Sequence, residues 1–389
     1  MSRALALLVV LGIGPSVGAQ DCARPIANGL SWWPGDTSAA DLIGGNPGTL
    51  QGGASVGPGR VGQGFVFDGT DDHVGIPFHA SYDFQLPGQF SIVAWVRAEP
   101  GSPSVNRALV VKSPTGGAWD WGLYLEAGGR FMAGRNGLAV VTSRTVAVPG
   151  VWYHVAVTYQ DSLWHLYVNG TREATNSGIL ITRSTGGLAL ARRGEATSSP
   201  DPFGGVLDEV EIFDRPLTPC AVAFLADLGQ AGQCKGDDDA DGVSDTIDNC
   251  IRLSNPSQID QDGDKTGDAC DCAPADLSTY AIPSEIGRLI VGESGKDVLS
   301  WCSATLSGGT SSVHQVLRGE VVNLPVGGGI GESCLQIGSP STTLTDATVP
   351  PATQSFWYLV RGKNACGTGT YGFSRSHETS TERITPACP

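Results

Sequence analysis

No apolar run in this chain is long enough to cross a bilayer. The stretch from Ala4 to Ile13 is too short, and no later segment reaches the roughly 18 residues a spanning helix needs. No membrane span is therefore expected. A basic stripe is also missing: 24 Lys and Arg stand against 39 Asp and Glu, for a formal charge of −15, which argues against nucleic acid as a partner. Sustained helical periodicity is scarce. H-E-x-x-H and Walker A patterns are absent, and with them the zinc-peptidase and P-loop chemistries. GASVG at 53–57 has the letters of a nucleophile elbow, but GPGRVG follows where a helix should begin, so a glycine-rich loop is expected. GPGRVG at 57–62 and GTGTYG at 367–372 fit G-x-G-x-x-G by chance, because neither opens a helix.

What the chain does have is aspartate in register. Asp237, Asp239, Asp241, Asp245 and Asp248 occupy positions 1, 3, 5, 9 and 12 of a calcium loop, with Gly242 at position 6 for the sharp turn. The series recurs at Asp260, Asp262, Asp264, Asp268 and Asp271. Ca²⁺ takes six to eight hard oxygen ligands, which alternating carboxylates supply within a short loop. Lys265 stands where the second loop should have its glycine, adding a positive charge and disfavouring a left-handed turn. Residues 237–276 hold twelve aspartates against Arg252 and Lys265, so −10 of the chain's −15 is concentrated here. An acidic linker would explain the composition but not the recurring spacing. No amphipathic helices flank the loops, which argues against a sensor EF-hand. With DNC at 248–250, NPSQ at 255–258 and GDACD at 267–271, the segment resembles thrombospondin type 3 repeats, a family that wraps its chain around calcium ions and staples it with disulfides.

Arg3, the apolar run to Ile13 and Val17-Gly18-Ala19 have the pattern of a secretory signal peptide over residues 1–19. Asp21 before Cys22 argues against a lipid anchor. An exported or extracellular location, in some cases associated with the cell surface, is expected. Ten cysteines in that setting imply up to five disulfides. Spacing suggests Cys250 with Cys270, and Cys22 with Cys234 could tie the ends of the first large block. The partners of Cys220, Cys272, Cys302, Cys334, Cys366 and Cys388 are not set by spacing.

The acidic segment (235–276) separates two strand-rich blocks, 22–234 and 277–389. In the first, strands are expected at Gly64–Asp68, Ser91–Arg97, Leu109–Lys112, Trp121–Glu126, Trp152–Tyr159, Leu163–Asn169 and Val206–Phe213. Asn169-Gly170 is expected to form a primed hairpin turn. A short helix should follow Arg215, with Thr218 as its N-cap and Pro219 at its first position. GLSWWPGD at 29–36, GQGFVFDGTDDHVGIP at 62–77, FSIVAWVRA at 90–98, WYHVAVTY at 152–159, LYVNG at 166–170 and GGVLDEVEIFDRPLT at 204–218 resemble laminin-G-like, concanavalin A-like domains. That resemblance implies a jelly roll of two antiparallel sheets and a role in binding sugars or other extracellular ligands. In the third block, Val298–Cys302, Ser312–Arg318 and Phe356–Gly362 alternate as half-buried strands do, and FWYLVRGKNACGTGTYG at 356–372 resembles the late strands of a fibronectin type III sandwich. The fold class expected is thus all-β throughout.

Candidate chemistry in the first block is thin. A retaining glycosidase needs two carboxyls roughly 5 Å apart. Asp208-Glu209-Val210-Glu211 is the best candidate, but regular alternation would point Asp208 away from Glu209 and Glu211, and solvated carboxylates on an outer strand are expected. His154 and His165 lie in strongly alternating strands and suggest packing. Asp68, Asp71 and Asp72 fit a turn around Gly69 better than a further calcium site. Trp32 and Trp33 are adjacent, so in a strand only one can face the core. The reading is an exported, calcium-binding protein without catalytic activity. Its partner would be a carbohydrate or an extracellular protein ligand, engaged in adhesion. A polysaccharide-cleaving enzyme and a structural scaffold are the alternatives.

Overall fold

The computed structural model describes residues 22–84, 88–100, 106–113, 120–135, 138–178, 185–193, 201–292, 297–327, 329–375 and 380–388. The expected signal peptide lies outside the described residues. The chain forms two compact units, one within Gln20–Lys235 and the other within Gly236–Pro389.

In the first unit the strands are β1 (Ser31–Trp33), β2 (Thr49–Gln51), β3 (Ser55–Pro58), β4 (Gln63–Asp68), β5 (His73–Ile76), β6 (Gln89–Ala98), β7 (Arg107–Lys112) and β8 (Trp121–Leu125). They continue with β9 (Arg130–Arg135), β10 (Leu138–Val146), β11 (Trp152–Gln160), β12 (Leu163–Val168), β13 (Thr171–Ser177), β14 (Leu188–Leu190) and β15 (Gly204–Phe213). One sheet runs β13-β12-β11-β6-β15-β4-β3, with β1 added on β15; the other runs β10-β9-β8-β7-β14-β5-β2. All pairings between these strands are antiparallel. This is the jelly-roll sandwich that the sequence led us to expect. Its core is built from inward-facing residues of the two sheets, among them Phe90, Ile92, Ala94 and Val96 of β6 and Leu207, Val210 and Ile212 of β15.

β6 is buried on both faces and reads as a nearly continuous apolar run for that reason. Its outward residue Val93 packs with Ala156, Tyr167 and Phe213 under helix α1 (Pro219–Leu228), which contributes Val222 and Leu225. The helix starts as its sequence dictates: Thr218 accepts a hydrogen bond from the Ala221 N–H at 3.1 Å and Pro219 fills the first position. At the β12–β13 turn, Asn169 (φ 47°) and Gly170 (φ 69°) both adopt the left-handed conformation a primed turn requires.

The second unit carries the aspartate-rich segment and a smaller sandwich. The strands of that sandwich are β16 (Ile290–Val291), β17 (Val298–Ser300), β18 (Val313–Glu320), β19 (Ser333–Ser339), β20 (Thr343–Thr345), β21 (Phe356–Asn364) and β22 (Gly367–Thr368), and a separate hairpin pairs β23 (Phe373–Arg375) with β24 (Ser380–Glu382). Strands β16 to β22 are the ones that pack together. They form a three-stranded sheet, β16-β17-β20, and a four-stranded one, β19-β18-β21-β22, with Leu299, Trp301, Val316 and Val360 between them. The aspartate segment is no loose tether to this sandwich. Cys272, within the segment, is bonded to Cys366, and the Asn364 amide donates at 2.7 Å to the carbonyl of Ala281, just beyond it. Disulfides also join Cys22 to Cys234, Cys250 to Cys270 and Cys334 to Cys388; among the described residues no cysteine is a thiol.

Candidate functional site

Residues 237–271 contain no strand or helix and are shaped by their own side chains. In the first loop the Asp237 carboxylate accepts the N–H groups of Asp241 (3.1 Å) and Gly242 (3.0 Å), and Asp241 accepts that of Val243 at 2.8 Å. In the second, Asp260 accepts from Gly263 (2.8 Å) and Lys265 (2.9 Å), and Asp264 from Thr266 at 2.7 Å. Carboxylate oxygens of Asp237, Asp239 and Asp241 gather within 4.8 Å of one another, as do those of Asp260, Asp262 and Asp264. Asp245 differs: both its oxygens take backbone N–H groups, from Gly236 (3.0 Å) and Asp238 (3.1 Å), and so brace the start of the loop. Asp268 does the same for Gln261 at 2.8 Å.

Calcium is what the resemblance implies, and the donor set can be tested for fit. Oδ2 of Asp239, Asp262, Asp264 and Asp271 is shielded from solvent yet accepts no hydrogen bond. Unsatisfied buried carboxylate oxygens are costly and rare unless a cation or water meets them. Burial raises the pKa of Asp239, Asp264 and Asp271, and neighbouring aspartates raise it further. An all-oxygen, strongly anionic donor set of this kind suits a hard divalent cation.

Lys265 does not block the turn. It adopts φ 79°, matching Gly242 at 94°, while position 4 is also left-handed in both loops, at Ala240 (φ 59°) and Gly263 (φ 81°). Each loop thus has two left-handed positions and one glycine, and the second loop has moved the glycine by two residues. A side chain in that conformation costs about 1–2 kcal/mol. Lys265→Gly is therefore expected to tighten calcium at the second loop by about fivefold, roughly 1 kcal/mol. Gly263→Ala should weaken it comparably by conformation alone, since nothing lies within 4 Å of the added methyl. Calcium titration calorimetry on the full chain would measure both.

The acidic strand β15 corrects the sequence reading. Asp208, Glu209 and Glu211 are buried, not solvated. Asp208 pairs with Trp95 and Glu211 with Val93, so two residues of β15 oppose one of β6, and Glu209 sits in this bulge at φ 51°. The extra residue puts Asp208 and Glu211 on the same outer face. Asp208 Oδ2 accepts the N–H groups of Arg60 (2.6 Å) and Val61 (2.8 Å). Glu209 takes the Trp32 indole N–H at 3.0 Å and pairs with Lys235, which also reaches Asp36 at 2.6 Å. Glu211 accepts only the Gln233 amide, at 2.8 Å. Burial pushes Asp208 up to about 7 and Glu211 up to about 8, against smaller opposing effects of hydrogen bonds and Lys235. Glu209 is also raised well above the usual carboxylate range by burial.

The remaining candidates are structural. Trp33 faces the core with its N–H on the Asn46 carbonyl (3.0 Å), Trp32 faces outward beneath Glu209, and neither is exposed. His154 is buried edge-on to Trp95, with ring centroids 5.2 Å apart, and His165 meets Thr175 at 2.8 Å. The carboxylates of Asp68, Asp71 and Asp72 lie close together, but Asp68 and Asp72 accept turn N–H groups from Thr70 (2.7 Å) and Asp68 (2.8 Å) around Gly69 at φ 80°.

With two twisted antiparallel sheets and their core in place, comparison with known proteins is direct: residues 68–223 match the family model of the concanavalin A-like lectin/glucanases superfamily. They form a concanavalin A-like jelly-roll domain. Over 100 residues the chain is 26% identical to the rat (Rattus norvegicus) protein named Sushi, von Willebrand factor type A, EGF and pentraxin domain-containing protein 1, and 27% identical to the mouse (Mus musculus) protein of that name. That stretch is 23% of this chain and only 3% of either relative. Similar solved structures include domain 4 of an extracellular GH43 arabinanase from Geobacillus stearothermophilus, with 20% identity, TM-score 0.41, and 52% of this chain and 98% of that one covered. A sialidase from Trypanosoma rangeli is similar at 19% identity and TM-score 0.43, covering 53% of this chain and 34% of the other. The expectation of a chain without catalytic activity is corrected on two counts. These neighbours come from glycoside hydrolases and sialidases. The premise of solvated, divergent carboxylates on β15 is also wrong, because the bulge gathers three of them in a buried cluster.

Proposed function

We propose that this protein is an extracellular calcium-binding protein whose jelly roll takes carbohydrate. Asp237, Asp239, Asp241 and Asp248 would hold calcium in the first loop, and Asp260, Asp262, Asp264 and Asp271 in the second. Asp245 and Asp268 would hold the loops in shape. The observation that carries the calcium reading is the set of shielded Asp239, Asp262, Asp264 and Asp271 oxygens that accept no hydrogen bond. When bound, the ion supplies the positive charge that a segment of net −10 lacks. Disulfides and the lack of a helix long and apolar enough to span a membrane, among the described residues, agree with an extracellular setting. The carbohydrate reading rests on the superfamily matched by residues 68–223. The smaller sandwich, with three- and four-stranded sheets as in a fibronectin type III domain, would serve as a spacer.

The test is calcium titration calorimetry of the full chain, followed by a glycan array with calcium and with chelator. Uptake of calcium with reproducible glycan binding supports the proposal. No calcium uptake at millimolar concentration rejects its first half, and silence on the array rejects its second.

A further inference from the structure

One buried ionic group in the jelly roll belongs to none of these sites. Lys112, at the end of β7, places Nζ 2.7 Å from Asp83 Oδ1 and 2.9 Å from Asp120 Oδ2. The three side chains are only 1%, 5% and 2% exposed. Their sequence neighbours Tyr82, Phe84 and Trp121 are buried, Phe84 and Trp121 lie 5.6 Å apart, and the Phe78 ring centre is 5.7 Å from Nζ. One ammonium and two carboxylates thus sit together out of water, beside buried aromatic neighbours, where each ion has lost its hydration. Turning one pair into an amide would remove two of the three charges while keeping the contact.

We propose that Lys112 and Asp83 condense into an intramolecular isopeptide bond, with Asp120 carrying the proton. An amine hydrogen-bonded to a carboxyl oxygen stands about 3.5 Å from the carboxyl carbon, the spacing of a near-attack arrangement, and such positioning is worth effective concentrations of about 10⁵–10⁸ M. In the first step the ammonium passes a proton to Asp83 across their contact, leaving an amine and a carboxylic acid. The Nζ lone pair then attacks Asp83 Cγ while Asp120 accepts a proton from the nitrogen. Asp120 returns that proton to the departing hydroxyl, the C–O bond breaks and one water leaves. A C–N bond has replaced a C–O bond with no change in oxidation state, and Asp120 is again a carboxylate, now beside the amide N–H. The bond ties the turn at Ala80–Tyr82 to β7, two segments with no strand pairing between them.

Tryptic peptide mapping of the purified, reduced full chain by mass spectrometry tests this. The expected result is one branched species that joins the Asp83 and Lys112 peptides, lighter by one water than their sum, with no cleavage after Lys112. Asp120→Asn should fold with both partners present yet yield the two peptides unlinked, as should Lys112→Arg. Cleavage after Lys112 in the wild-type protein, or an Asp83 peptide of full mass, would overturn the proposal whatever the variants do. A linkage from Lys112 to Asp120 would overturn the assignment of roles.

Discussion

Chelating calcium from the full chain is expected to unfold residues 237–271 locally while the jelly roll keeps its structure. The segment has little else to hold it. Of its larger apolar residues only Ile251 is buried, whereas Ile247, Leu253 and Ile259 are 77%, 49% and 60% exposed. Ordering the backbone costs about 1–2 kcal/mol per residue, and the Cys250–Cys270 bridge returns only about 3 kcal/mol of that for a loop of its size. Aspartates gathered within each loop repel one another when empty, so binding and ordering should be a single event. Hydrogen exchange with and without chelator would report it: protection should vanish across 237–271 and persist in β6, β11 and β15. Asp239→Ala and Asp264→Ala should each weaken one site by at least about tenfold, or 1.4 kcal/mol. Asp245→Ala acts by another route. It frees the Gly236 and Asp238 N–H groups, so exchange at the loop start should rise even in saturating calcium. Equal protection with and without the ion would reject this account.

Much of this was legible in the sequence because it depends on spacing. The period-two strands, the Thr218-Pro219 helix start and the Asn169-Gly170 turn each follow from a local rule, and the structure realises all three. Strands β1, β2, β3, β5, β9, β10, β13 and β14 were not among those expected; β1, β2, β3, β5 and β14 have only three or four residues, which carry too little alternation to register. The misjudgement at β15 is more instructive. Leu207, Val210 and Ile212 all point into the core, yet the step from 207 to 210 is odd and cannot keep one face of a regular strand. That broken phase was the available sign of a bulge. What stayed illegible was the cover on the acidic face: Trp32 meets Glu209 across 177 residues and Asp36 meets Lys235 across 199, while Gln233 reaches Glu211 from 22 residues on, and only the tertiary fold brings them together. The glycine exchange between positions 4 and 6 of the calcium loops was equally hidden, because a left-handed lysine has no signature in the letters.

Glu211→Gln should stabilise the jelly roll at alkaline pH and flatten its pH dependence. Glu211 is a fully enclosed carboxyl whose hydrogen-bond partner, Gln233, is neutral; the nearby cation Lys235 is taken up by Glu209 and Asp36. Burial raises its pKa from 4.5 to about 8. The folded state therefore holds a proton that the unfolded chain has released. Stability attributable to Glu211 is fully present below about pH 4.5, declines as pH rises, and is lost once pH passes about 8. Over that window the loss is on the order of 3–5 kcal/mol, and Asp208, raised to about 7 by burial, adds to it in the same direction. Glutamine has the shape of the protonated acid and can still accept the Gln233 amide, but it has no proton to lose. Denaturant titrations followed by tryptophan fluorescence, which the seven tryptophans of the first block dominate, should show the wild-type midpoint falling between pH 5 and 9. In the variant the fall should be shallower, and the two proteins should converge near pH 4. Parallel curves at all pH values would mean that Glu211 is ionised in the folded protein, with a cation or water reaching it beneath the Gln233 cover.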